Sequence, residues 1–110
     1  MGDNKLLGDL GESLATGLLY SKGYSILETK YKCKTGEVDI ICAKEDEISF
    51  VEVKTRQSLA LGRPAEAVTA AKQRKIRNGA NFYLSTHYRN EEKVNFQVIE
   101  ILINQINYAF

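Results

Sequence analysis

The chain has 110 residues, 44% of them apolar and 26% charged, which excludes wholesale disorder, and its one Pro and eight Gly exclude collagen-like and Pro-rich classes. That length fits one domain with one buried core. Lys and Arg number 15 against 14 Asp and Glu, and the resulting net charge of +1 argues against a general nucleic-acid coat.

Residues 5–22 are predicted as an amphipathic helix with Leu6, Leu10, Leu14 and Leu18 as its apolar stripe, joined by Leu7, Ala15 and Leu19. Asp3 or Asn4 suits its cap, and Gly23 suits a left-handed C-terminal residue. Gly8, Gly11 and Gly17 weaken the helix but leave room for another backbone to come close. Residues 24–32 read as a strand and Lys34-Thr35-Gly36 as a turn. Residues 37–44 and 47–55 read as two strands joined at Glu45-Asp46. A polar loop over 56–63 contains Gly62, and Pro64 suits a first helical position. The helix expected from about 65 to 85 carries Val68, Ala71, Ile76, Ala80 and Tyr83 on its apolar face. Residues 93–102 alternate as a fourth strand, and Ile103–Phe110 fits either a short strand or a covering segment. The order α-β-β-β-α-β gives an α/β (α+β) fold with helices flanking a central mixed sheet.

Compartment follows from what the sequence lacks. Cys33 and Cys42 form no disulfide framework and no metal-type spacing, so both are expected as reduced thiols. One His, His87, with two scattered Cys makes a poor zinc set, and His87 itself reads as an ordinary surface residue. Asp3, Asp9 and Glu12 interrupt any signal-peptide core, and no apolar run approaches the ~18 residues of a membrane span. The expectation is a cytoplasmic protein.

The stretch Glu37–Thr55 carries the most chemistry. A hairpin with an even loop at Glu45-Asp46 pairs residues whose numbers sum to 91, which sets Asp39 opposite Glu52 and Glu37 opposite Lys54. Opposed residues share a face, with Cβ atoms ~4.5–5.5 Å apart. Four charges therefore meet at one end of one face, with Ile41, Ala43, Ile48 and Phe50 at the other end. Val38, Ile40, Cys42, Val51 and Val53 fall on the opposite face. Carboxylates beside an apolar sheet centre are costly unless paired or metal-bound, and oxygen ligands of this type suit Mg2+ or Mn2+. A cross-strand ion pair of Lys54 with Asp39 or Glu37 at the sheet rim fits the same residues. A bulge would turn Asp39 away and break the group.

Gly36-Glu37-Val38-Asp39-Ile40-Ile41, followed by Phe50-Val51-Glu52-Val53-Lys54-Thr55-Arg56, resembles the PD-(D/E)xK nuclease signature. Gly8, Gly11, Glu12 and Ala15 on the first helix, Ala67-Val68-Thr69 with Lys72-Gln73 on the second, and the terminal Ala109-Phe110 make the chain similar to the YraN-like family of uncharacterised bacterial proteins. That resemblance spans nearly the whole chain, as one nuclease-like domain over 1–110. It implies a restriction-endonuclease-like core, similar to archaeal Holliday junction resolvases. It also implies a hydrolase: a metal-dependent endonuclease acting on DNA, with branched or junction DNA as substrate. Asp39, Glu52 and the Val53 carbonyl would hold Mg2+ or Mn2+, Lys54 would position water, and Glu12 would face the metal. Thr55, Arg56, Lys72, Gln73 and Lys34 would contact nucleic acid. Gln97 stands where the family implies an Asp, and Thr35 matches the resolvase hydroxyl only loosely.

The charge is unevenly spread. Eleven of the 15 basic residues lie in 20–36 and 54–77, where only Glu28 and Glu66 are acidic. Lys30, Lys32 and Lys34 alternate along one strand, which suits phosphate contact or an ordinary solvated face. The competing functional reading is a non-catalytic nucleic-acid-binding or protein-interaction module that keeps the nuclease fold. A weaker third is a structural adaptor whose charges only pair. A homodimer is expected, with the apolar segment Ile101–Phe110 as one contact.

Overall fold

The computed structural model describes residues 2–57, 68–87 and 89–110, without the side chains of 2–4. The elements are α1 (Gly2–Ser21), β1 (Ser25–Lys32), β2 (Glu37–Lys44), β3 (Glu47–Arg56), α2 (Ala70–Thr86) and β4 (Lys93–Leu102). The expected α+β order α-β-β-β-α-β holds. The sheet order is β1-β2-β3-β4: an antiparallel meander, then a parallel β3–β4 pair reached through α2. The predicted loop with Gly62, Arg63 and Pro64, Glu66, and the first residues expected in α2 lie outside the described residues. Among the described residues, no helix is long and apolar enough to cross a membrane.

The two helices cover opposite faces of the sheet. Ala15 and Leu19 of α1 pack on Ile40, Cys42 and Val51. Ile76, Ala80 and Tyr83 of α2 pack on Val38, Ile41, Ile48 and Phe50. The buried face of α1 is Gly11, Ala15 and Leu19, and the predicted stripe of Leu6, Leu10, Leu14 and Leu18 is instead 41–68% exposed. The two stripes differ by one residue, about 100° around the helix. Close approach decides between them, because a Cβ on Gly11 would overlap the Thr55 side chain. The glycine face lets α1 settle onto β3. Asp3 and Asn4 lie inside the first turn rather than at the cap, since α1 begins at Gly2. Gly23 does adopt the left-handed conformation, at φ 92°.

Val38 departs from the expected alternation. It packs with the α2 layer, whereas Ile40 packs with the α1 layer. The strict period of two is broken where β1 kinks beside Asp39. Lys30 has φ 52°, and the β1–β2 ladder skips Lys30 and Asp39 between Thr29↔Ile40 and Tyr31↔Val38 with no change of register, the register shift lying earlier, between Ile26 and Glu28. Tyr31 follows Val38 to the α2 side and meets Tyr83 edge-on at 5.4 Å between ring centres.

Helix α2 starts later than the pattern suggests. Thr69 is extended, and its side chain accepts a hydrogen bond from the Lys72 backbone N–H at 3.1 Å, so the helix begins at Ala70. Val68 is half-buried and Ala71 is exposed. At the other end the His87 N–H donates to the Tyr83 carbonyl, and its ring stacks on Tyr83 at 3.9 Å. His87 thus closes α2 while remaining exposed. Ile103 extends the β4 pairing by one bond to the Arg56 carbonyl, after which Asn104–Phe110 forms no strand.

The Cys33–Glu37 turn is pressed against α2: a Cβ on Gly36 would overlap the Lys75 carbonyl and come within 2.5 Å of the Gly79 nitrogen. Gly36→Ala is therefore expected to lower stability by about 2–3 kcal/mol. Gly17→Ala, whose Cβ meets nothing within 4 Å, is expected to raise it by ~0.5–1 kcal/mol. Thermal or urea unfolding of the two variants reads the opposite signs.

Candidate active site

The β2–β3 ladder follows the even-loop register from Lys44↔Glu47 to Ile40↔Val51 and ends there. Asp39 and Glu52, and Glu37 and Lys54, are thus not ladder pairs; Glu37 pairs with Lys32 of β1 instead. The strands part because Asp39 replaces a main-chain partner: its Oδ2 accepts the Val53 N–H at 2.8 Å. This bond ties Asp39 to the residue between Glu52 and Lys54. The carboxylates of Asp39 and Glu52 come together by that route rather than by continued pairing.

Glu52 is buried on the α2 side, 7% exposed. Its Oε1 is a buried polar atom with no hydrogen-bond partner. Its Oε2 lies 3.7 Å from Lys72 Nζ, which also contacts Glu37 Oε1 at 3.2 Å. Burial pushes the Glu52 carboxyl up to about 7, and the adjacent Asp39 adds to that shift against the opposing pull of Lys72 and Lys54. The hydrogen bond from Lys72 holds Glu37 below its usual range. Burial works against the Lys72 ammonium, yet Glu52 and Glu37 together keep its pKa above the ordinary lysine value. Lys72 and Lys54 thus only partly offset the burial of Glu52, and one of its oxygens is left unsatisfied.

The other expected residues divide into groups. Lys54, Thr55 and Arg56 line one groove with Glu52 and Val53. Thr55 faces Gly11 of α1, so its side chain serves the helix contact. Arg56 bonds to Glu100 at 3.3 Å. Gln73 donates to the Val68 carbonyl and lines a cleft of about 290 Å³ that also reaches Glu52. Lys34 is exposed, in a separate cleft with Thr35 and Lys75. The Val53 side chain packs against the α1-side core. Gln97 donates to Ser49 and Asn95 on β3 and β4.

Glu12 stands on α1 across a cleft of about 280 Å³ from Asp39 and Glu37. Its carboxylate is held by Lys30 at 3.0 Å, and Lys30 also holds Asp9 at 2.8 Å. Those two contacts, Asp9 first, raise the Lys30 ammonium to about 12. Among the described residues no three His, Cys, Asp or Glu side chains gather closely enough to hold a metal ion. The geometry thus brings Asp39 and Glu52 together and leaves Glu12 with a lysine. The pattern of the sequence did not reveal Lys30 as Glu12's partner, because a lysine in left-handed conformation has no sequence signal. It also missed Lys72 as the link between Glu37 and Glu52; its basic helix face was the available hint.

The sequence model of a family described as "Uncharacterised protein family UPF0102" matches residues 11–101. The chain belongs to the UPF0102 family. A UPF0102 protein of Clostridium perfringens is 47% identical over 98 residues, covering 89% of this chain and 80% of its own length. One from Clostridioides difficile is 44% identical, covering 98% of this chain and 99% of its own. A UPF0102 protein of Dictyoglomus thermophilum is 43% identical over 103 residues, covering 94% and 87%. Glu12, Asp39, Glu52, Lys54 and Lys72 all fall inside the UPF0102 match, and Ala109-Phe110 falls outside it.

Glu52 makes metal-free stability depend on pH. Its folded value near 7 lies above the ordinary 4.5, so the folded state binds more protons than the unfolded chain between the two. Stability from this group is fully present below about 4.5, falls as pH rises toward about 7, and is flat above, a change on the order of 3 kcal/mol. Melting curves in EDTA should show this fall in the wild type and not in Glu52→Gln. Parallel pH profiles for the two proteins would contradict it.

Proposed function

We propose that this UPF0102 protein is a metal-dependent nuclease that hydrolyses phosphodiester bonds in DNA, with branched or junction DNA as its substrate. The observation that carries this reading is the pairing of half-buried Asp39 with buried Glu52, whose Oε1 has no hydrogen-bond partner. Oxygen-only donors, excess negative charge and an orphaned acceptor suit a hard divalent cation, Mg2+ or Mn2+. Asp39 and Glu52 would hold it, with the Val53 carbonyl as a further ligand. When bound, such an ion polarises a phosphoryl oxygen and acidifies a water.

The remaining work belongs to the chain. The Val53 N–H fixes the Asp39 carboxylate, so the pair is organised before substrate arrives. Lys54, beside Glu52 on the same groove, supplies an ammonium that orients water and balances charge building on the phosphate. Gln73 lies along the neighbouring cleft, within reach of a bound strand. Arg77, over the Phe96 ring at 5.2 Å, adds positive charge to that cleft.

A second reading, a non-catalytic nucleic-acid-binding or protein-interaction module, draws on a different observation. Lys72 already bridges Glu37 and Glu52, and Glu12 is paired away from the centre. A fold kept for binding needs no more than that.

Purified protein is to be incubated with Mn2+ and a panel of branched, single-stranded and duplex DNA. The nuclease reading expects cleavage that drops about 100-fold or more in both Asp39→Ala and Lys54→Ala. Cleavage that survives both substitutions is a contaminant's. Absence of cleavage on every substrate transfers support to the binding module.

A further inference from the structure

Lys72 occupies an unfavourable place. It lies in the first turn of α2, fixed there by the Thr69 cap on its own backbone N–H, and no acidic residue shares that turn. A cation near a helix N-terminus opposes the helix dipole. Among the described residues its side chain is compensated from the sheet, by ion pairs with Glu37 and Glu52.

The compensation is incomplete. The 3.2 Å contact to Glu37 is a hydrogen bond, whereas the 3.7 Å approach to Glu52 is a looser charge contact. It leaves Glu52 Oε1 without a partner. The Lys72 ammonium also faces three carboxylates, Glu37, Asp39 and Glu52, with Lys54 as the other cation acting on Glu52 and Lys32 and Lys75 acting on Glu37. The Lys72 side chain remains 31% exposed, so its long stem has solvent to move into.

We propose that Lys72 is the resident counter-ion of the carboxylate pair, and that a divalent cation enters the site by displacing its ammonium from Glu52. This rests on the metal-site reading above. The ion pair and the metal then compete for the same oxygens. Lys72 stabilises the metal-free fold and weakens metal binding by the same contact. A doubly charged ion with several ligand positions satisfies Glu52 better than one distant ammonium, which gives the exchange its direction.

The test uses the full chain, stripped with EDTA, as wild type, Lys72→Met and Lys93→Met, with Mn2+ titrated calorimetrically at low ionic strength. Methionine keeps the stem and removes the charge. Lys72→Met is expected to bind Mn2+ about 5-fold more tightly or better. Its metal-free melting temperature is expected to fall, and saturating Mn2+ to erase that deficit. Lys93→Met, whose charge sits 3.9 Å from Asp46 far along β4, should bind as the wild type does. Binding to Lys72→Met alone also supports the exchange, because the lysine then blocks the wild-type site. Equal or weaker binding in Lys72→Met, with a wild type that does bind, overturns the exchange and leaves the metal site standing. No binding by either protein removes both.

Discussion

Where β2 and β3 part, the Asp39 carboxylate takes the Val53 N–H that a ladder carbonyl would otherwise take. The rest of the candidate site depends on this bond. A buried N–H without a partner costs ~1–3 kcal/mol, so the strands can separate only where a side chain replaces the lost acceptor. Asp39 does so, and in doing so it is drawn alongside Glu52. The kink at Lys30 on the neighbouring strand belongs to the same local break, since it lies where β1 would otherwise pair with Asp39.

The helices then determine what surrounds the pair. Gly11 brings α1 down onto Thr55, which places Glu12 on one side of Asp39. Gly36 and Gly79 bring α2 against the start of β2, which lets Lys72 span Glu37 and Glu52. Glu52 is caught between these layers. Its burial is enforced by the core packing of Phe50 and Val51 just before it, and its negative charge is only partly answered. Such a group is a stability cost in a protein that only has to fold, and an organised ligand in one that binds a cation.

Much of this was legible in the sequence. The bounds of β2 and β4, the tip at Glu45-Asp46 and the even-loop register follow from alternation and turn chemistry, and the structure keeps them. The face of α1 was not legible, because Leu6-Leu10-Leu14-Leu18 and Gly11-Ala15-Leu19 share one period and only the contact with β3 separates them. Period-two counting misplaced Val38 since it has no means to see a left-handed Lys30. The meeting of Asp39 with Glu52 was expected from pairing and arises instead from a side-chain-to-backbone bond. The family resemblance agrees with the UPF0102 match, while the chemistry remains with the residues themselves. The near-neutral charge likewise averaged a basic α2 face with the acidic strand pair beneath it.

The proposed divalent cation site rests on Asp39 and Glu52 acting together as ligands. It is tested most directly by crystallising the protein with Mn2+ and collecting data at a wavelength where manganese scatters anomalously. A cation site there gives one anomalous peak in contact with a carboxylate oxygen of both Asp39 and Glu52, with Lys72 Nζ moved away from Glu52. It is contradicted if manganese appears only elsewhere, or nowhere, while Lys72 still spans Glu37 and Glu52.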